Sequence, residues 1–160
     1  MAKEIYQNKY VTVSVDDGIV RITQKVGGVV IVPMTLDGDL IFIKHKRHNG
    51  INLEFPRGFL EVNETHVDGA KRELFEETHL QSVGEFEFGR LLTDSGLIDD
   101  NIKCVLCRVS DISTLKLNNS EGVLQCIKLS KEEAIASVTE KKIIDSFSLS
   151  ALMLVIANCK

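Results

Sequence analysis

Val29-Val30-Ile31-Val32 is a continuous apolar run set off by Gly27-Gly28. A run of this kind reads as a strand covered on both faces, because a half-exposed strand would alternate. Asp37-Gly38, a hairpin-turn pair, then leads into Leu40-Ile41-Phe42-Ile43. Upstream, Tyr10-Val11-Thr12-Val13-Ser14-Val15 alternates, and Asp17-Gly18 turns it into Ile19-Val20-Arg21-Ile22-Thr23, a second hairpin. Asn52-Leu53-Glu54-Phe55 is a short extended piece ending at Pro56, and further strands are expected at Phe86–Leu92, Ile102–Val109 and Val123–Leu129. Thr65 with Asp68 resembles a capping box, opening a helix whose core stripe is Val67, Ala70, Leu74 and Thr78. Ser130-Lys131-Glu132-Glu133 opens a short helix, and Asp145 caps a last one with apolar surface from Phe147, Leu149, Ala151, Leu152, Leu154 and Val155. This order predicts an α/β (α+β) architecture, a mixed β-sheet flanked by helices.

The chain has 160 residues, the size of a single domain, and no linker or repeat divides it. Lys and Arg total 19 against 23 for Asp and Glu, a net charge of -4. A mildly acidic chain without a basic block has no footprint for nucleic acid or an anionic membrane. No apolar run approaches the roughly 18 residues of a membrane helix, and the first residues lack a signal-peptide core, so a soluble cytoplasmic protein is expected. Cys104 and Cys107 have CxxC spacing but fall in a strand, where residues three apart point to opposite faces. Together with Cys126 and Cys159 they read as small hydrophobes, with neither a disulfide framework nor a zinc site. His45, His48 and His66 show no metal spacing and are expected at the surface.

The most informative segment is the first helix. At about 100° per residue, Glu73, Glu76 and Glu77 share an arc of roughly 100° beside the apolar stripe. Like charges at this spacing repel by about 0.2–0.5 kcal/mol per pair. A divalent cation turns that repulsion into binding, and oxygen ligands of this type suit Mg²⁺ or Mn²⁺. A solvated acidic face is the plainer alternative. Gly69 lies on the same face, where a helical glycine suggests close approach of a loop or ligand.

The order of residues resembles a known pattern. Gly58, five residues, Glu64, seven residues, then Arg72-Glu73-Leu74-Phe75-Glu76-Glu77-Thr78-His79-Leu80 is similar to the Nudix box over residues 58–80. Every fixed position matches except one, where His79 stands for glycine. The resemblance to the Nudix hydrolases implies an α/β/α sandwich and hydrolysis of a nucleoside diphosphate linked to another group. It implies Glu73 and Glu77 as metal-ligating carboxylates, Glu76 as a further ligand or water-mediated partner, and the backbone carbonyl of Arg57 as a metal contact. Arg72 and Glu64 match the residues that orient these carboxylates, and Mg²⁺ or Mn²⁺ is the implied cofactor. His79 falls near the helix C-terminus, where glycine usually takes a left-handed conformation that histidine tolerates at some cost.

Weaker features resemble the ADP-ribose and ADP-sugar pyrophosphatase branch. Leu53-Glu54-Phe55-Pro56-Arg57-Gly58 is similar to its Glu-x-Pro-x-Gly approach to the box, and Lys142-Ile143-Ile144-Asp145-Ser146 to its closing segment. The resemblance implies Arg47 as a phosphate contact, Glu54, Arg57 and Gly58 in the substrate site, and Glu121, in the turn Asn118–Gly122, as general base. The branch's Ser-Pro-Gly is replaced by Asp94-Ser95-Gly96, so Ser95 stands at the proline position. Tyr6 and Tyr10 read as packing residues, with stacking on a base as the alternative. Residues 1–25 form a β-hairpin arm through which related enzymes often pair, so a homodimer is expected. The other readings are a nucleoside triphosphate or dinucleotide pyrophosphatase of the same superfamily, and a non-catalytic nucleotide-sensing module.

Overall fold

The computed structural model describes residues 2–110, 112–117 and 119–158. Cys159 and Asn118 lie outside the described residues. Strands β1 (Lys3–Gln7), β2 (Val11–Asp16) and β3 (Ile19–Gln24) form an antiparallel meander. Asp17 and Gly18 both take positive φ (48° and 79°), as a tight two-residue hairpin demands. β1 was not expected from the sequence. All five of its residues are exposed, so no buried face leaves a pattern to read.

Strands β4 (Gly28–Thr35), β5 (Leu40–Arg47), β6 (Gly50–Glu54) and β7 (Arg57–Phe59) precede helix α1 (His66–Thr78). After it come β8 (Ser82–Leu91), β9 (Ile98–Asp99), β10 (Ile102–Val109), β11 (Val123–Leu129), α2 (Lys131–Thr139) and α3 (Ser146–Asn158). The larger sheet runs β11-β5-β4-β10-β8, with β6 on β5 and β7 on β4. β4 pairs with β10 in parallel while its other neighbours are antiparallel, so the sheet is mixed. β9 adds to β3 in parallel and completes the smaller sheet. β8 starts at Ser82, earlier than its apolar residues suggest, because Ser82 and Gly84 extend the ladder against Val109 and Arg108.

Every residue of β4 is buried, and its side chains alternate between two cores. Val30, Val32 and Met34 pack with Phe42, Phe55, Cys104 and Leu106 beneath Ala134 of α2 and Ala151, Leu152 and Val155 of α3. Val29 and Ile31 pack with Ile41, Val105 and Cys107 beneath Ala70 and Leu74 of α1. Helices on both faces make the expected α/β/α sandwich. Cys104 and Cys107 belong to opposite cores, and burial pushes both thiols up to about 12, far from thiolate chemistry. No helix among the described residues is long and apolar enough to cross a membrane.

The helix ends follow the sequence. Thr65 Oγ1 accepts from the Asp68 backbone N at 3.1 Å and fixes the start of α1. His79 ends it in the left-handed conformation at φ 59°, its backbone N–H donating to Phe75 O at 2.8 Å. Asp145 Oδ2 accepts from Ser148 N at 2.9 Å and Ser148 Oγ at 2.8 Å, which starts α3.

Candidate active site

The α1 carboxylates are arranged by one guanidinium. Arg72 donates from Nε to Glu64 Oε1 at 2.9 Å and from Nη2 to Glu64 Oε2 at 2.8 Å, a bidentate pair. Its Nη2 also donates to the Phe59 carbonyl at 2.9 Å, tying the helix to the loop before it. Its Nη1 donates to Glu73 Oε1 at 2.8 Å and Glu76 Oε2 at 3.0 Å. Arg72 holds Glu64 below the usual carboxylate range, while burial pushes Glu73 up against the pull of the same guanidinium.

Two glycines let these groups meet. A Cβ on Gly58 would lie 2.0 Å from Glu73 Cδ, so the carboxylate rests directly on the Gly58 backbone. A Cβ on Gly69 would lie 2.4 Å from Leu60 Cδ2 and 3.1 Å from Glu64 Oε2. The close approach expected at Gly69 is therefore made by the loop carrying Leu60 and Glu64.

Glu77 differs from its neighbours. Its side chain is buried and Oε2 has no hydrogen-bond partner among the described residues. Burial, with the charge of Glu73 added, pushes its carboxyl up to about 8. Among the described residues there is no cluster of three or more His, Cys, Asp or Glu side chains placed to hold a metal ion. Mg²⁺ does not need one, since it binds through one or two carboxylates and keeps waters for phosphate oxygens to replace. A buried carboxylate with one unpartnered oxygen, under the charge of Glu73, fits such an ion.

The metal-free protein should show the cost of Glu77. Unfolded, the carboxyl ionises near its ordinary 4.5; folded, near about 8. Between these values the folded state holds more protons than the unfolded, so stability falls as pH rises through that window. With chelator present, urea unfolding should lose on the order of 1–3 kcal/mol between pH 5 and 8, and Glu77→Gln should flatten that slope. An unchanged slope in the variant would remove Glu77 as its source.

A second charged group adjoins the first. Glu54, fully buried at the end of β6, accepts from Arg47 Nε at 2.8 Å and Nη2 at 2.5 Å. Arg57 Nε lies 3.7 Å from the same oxygen. Burial pushes the Glu54 carboxyl up, but His45, Arg47 and Arg57 outweigh it and leave it below its ordinary value. Arg57 also reaches Asp145 Oδ1 at 3.4 Å and covers the Phe147 ring at 4.5 Å. Arg47 and Arg57 together line a cavity of about 140 Å³ with Gly58, Phe59, Gln24 and Phe147.

His45 is a correction. It was expected at the surface, yet it is 5% exposed, with Nδ1 3.4 Å from Glu54 Oε1 and 3.9 Å from Glu77 Oε1. The alternation of β5 carries the signal, since Ile41, Ile43 and His45 fall on one side of the strand. His48 is exposed as expected, and His66 is half-buried with Nε2 3.3 Å from Asn101 O. Glu121 ends the 3-10 turn Asn119–Glu121 and is exposed. Its charge reaches Glu77, and Lys46 N donates to Gly122 O at 2.9 Å, which docks the turn on β5. Tyr10 stacks on Phe59 at 4.9 Å, a packing role, and Tyr6 is exposed. Ser95 lies in a loop turned by Asp94, whose Oδ1 accepts from Gly96 N at 3.1 Å. Sequence reasoning also missed Ser148, buried, whose Oγ accepts from Phe55 N at 2.9 Å and joins α3 to the approach to Gly58.

Comparison with known proteins bears on the fold and the family. No curated protein matches the sequence. Among solved structures 370 chains match, including a crystal structure of an ADP compounds hydrolase that is 18% identical, with a TM-score of 0.77 over 98% of this chain and 90% of that one. At that identity the likeness establishes the fold. Residues 25–146, most of the chain, match the family model for the NUDIX domain. That match spans the Glu64–Arg72–Glu73 network, the buried Glu77 and the cavity-lining arginines alike, and the chain therefore belongs to the Nudix family of pyrophosphohydrolases.

Proposed function

We propose that the protein is a divalent-metal-dependent enzyme that cleaves the diphosphate of a nucleoside diphosphate linked to another group. The favoured substrate is an ADP-sugar, with ADP-ribose first, giving AMP and a sugar phosphate. The observation that carries this reading is the buried carboxylate of Glu77, whose Oε2 has no partner among the described residues and which feels the charges of both the Arg72-ordered Glu73 and the Glu54-held Arg47. One side of the site is anionic and suits a cation; the adjoining cavity presents two guanidiniums and suits phosphate oxygens. The fold neighbour acts on ADP compounds, which agrees with the ADP-sugar choice.

Glu73 and Glu77, with Glu76 and the Arg57 carbonyl, would hold Mg²⁺ or Mn²⁺. Such a cation supplies charge neutralisation at the phosphates and a more acidic water. Arg72 keeps Glu73 and Glu76 in place while Glu64 keeps Arg72 in place. Gly58 leaves room for Glu73, and Glu54 orients Arg47 and Arg57 toward the diphosphate. Glu121, on its docked turn, takes the proton of the attacking water. Phosphoryl transfer asks mostly for this positioning and charge stabilisation.

The test is a panel of nucleotide sugars, triphosphates and dinucleoside polyphosphates with Mg²⁺, following release of monophosphate. Turnover of ADP-ribose and other ADP-sugars, within about a hundredfold of each other in kcat/KM, is expected. Rapid triphosphate hydrolysis with ADP-ribose untouched would overturn the substrate choice, and turnover of none would favour the sensor reading. Glu121→Gln should lower kcat; an unchanged value would place the base elsewhere.

The reading includes a homodimer. β1 is an edge strand, and Ile5, Tyr6, Ile19 and Val20 of the arm are exposed. Light scattering should give twice the chain mass of 17.8 kDa at micromolar concentration. A mass that stays at one chain would refute the pairing.

A further inference from the structure

We infer that His45 is a positioning residue that holds the Glu77 carboxylate for the metal, through a ring clamped between three elements. The inference rests on the metal reading of Glu77. Nδ1 of His45 is aimed at two buried carboxylates, 3.4 Å from Glu54 Oε1 on β6 and 3.9 Å from Glu77 Oε1 on α1. Both separations are longer than a formed hydrogen bond, and Nδ1 is a buried polar atom with no hydrogen-bond partner among the described residues. The opposite side of the ring is fixed by Gly122, where a Cβ would lie 3.1 Å from both His45 Cδ2 and Nε2. Gly122 has φ +83°, and its carbonyl accepts from Lys46 N at 2.9 Å. The ring therefore has little freedom to turn away from the carboxylates.

The consequence is physical. Each carboxylate has one buried oxygen, Oε2, without a partner, but Glu54 Oε1 takes two bonds from Arg47, whereas the nearest cationic or donor group described at Glu77 Oε1 is His45 Nδ1. A donor at the His45 position sets where that carboxylate points. It also joins the carboxylate that orients the arginines to the carboxylate offered to the metal. Groups that orient metal ligands typically change affinity or activity about 10–100-fold when removed.

The test compares His45→Phe, which keeps a ring but loses the nitrogen, with His45→Asn, whose amide nitrogen falls close to Nδ1. Mn²⁺ binding to the substrate-free protein is followed by the electron spin resonance of free Mn²⁺, with Glu77→Gln as reference. Thermal unfolding in chelator identifies variants that stay folded. We expect His45→Phe to weaken Mn²⁺ binding about 10–100-fold and His45→Asn to recover most of that loss. Wild-type affinity in folded His45→Phe, or equal losses in both folded variants, would overturn the role of His45 while leaving the metal site standing. If His45→Phe does not fold, His45→Asn decides alone: affinity within about fivefold of wild type supports the inference, a larger loss overturns it. Wild-type protein that binds Mn²⁺ no better than Glu77→Gln would overturn the metal reading and this inference with it.

Discussion

Glu77→Gln is expected to lower kcat by about a thousandfold or more, because metal-borne charge stabilisation is worth several kcal/mol in such reactions. The substitution removes one negative charge with little change in shape. In the structure that charge is buried and opposed by no hydrogen-bond donor at Oε2, so the fold gains nothing from it without a cation. The variant should therefore be at least as stable as wild type in chelator while losing its metal. Activity and stability moving in opposite directions separates a ligand from a structural carboxylate. Near wild-type turnover of the pure variant at limiting Mg²⁺ would contradict the assignment.

Gly58→Ala should be almost as damaging, though it adds only a methyl group. Its Cβ would sit 2.0 Å from Glu73 Cδ and 2.1 Å from Oε1, within the carboxylate itself. Backbone here belongs to β7, paired to Val29 of the fully buried β4, and has little room to retreat. Glu73 must therefore swing out, breaking its bond to Arg72 Nη1. Misplacing such a ligand by about 1 Å costs on the order of a hundredfold in rate, and the strain costs about 1–3 kcal/mol of stability. Mn²⁺ affinity, kcat and urea midpoint measured on one preparation would check all three. Retention of full metal affinity would show that Glu73 does not bind from its observed position.

Much of this was legible in the sequence where local chemistry is strong. The apolar run at Val29 became the central strand, the Cys104 and Cys107 spacing put one thiol in each core, and His79 took the left-handed end of α1. The helix that carries Glu73, Glu76 and Glu77 could be drawn from its cap and its apolar stripe. His45 could not be placed as easily, because Lys44, Lys46, Arg47 and His48 make that end of β5 look solvated. Its burial comes from β6 and the Gly122 turn closing over it, contacts that no local pattern encodes. The bonds from Phe55 to Ser148 and from Arg57 to Asp145 join residues 93 and 88 positions apart and arise only once α3 docks. The sharing of Arg72 between Glu64, Glu73 and Glu76 is likewise a property of the folded loop before α1.

The central claim is that water opens a diphosphate at this site with the help of a divalent cation held by Glu73 and Glu77. Hydrolysis of ADP-ribose in ¹⁸O-labelled water, followed by mass spectrometry of the products, tests it most directly. The account predicts equal amounts of AMP and ribose phosphate, one labelled oxygen in one of the two products, and no reaction when chelator replaces Mg²⁺. Unlabelled products, or the same rate in chelator, would contradict it.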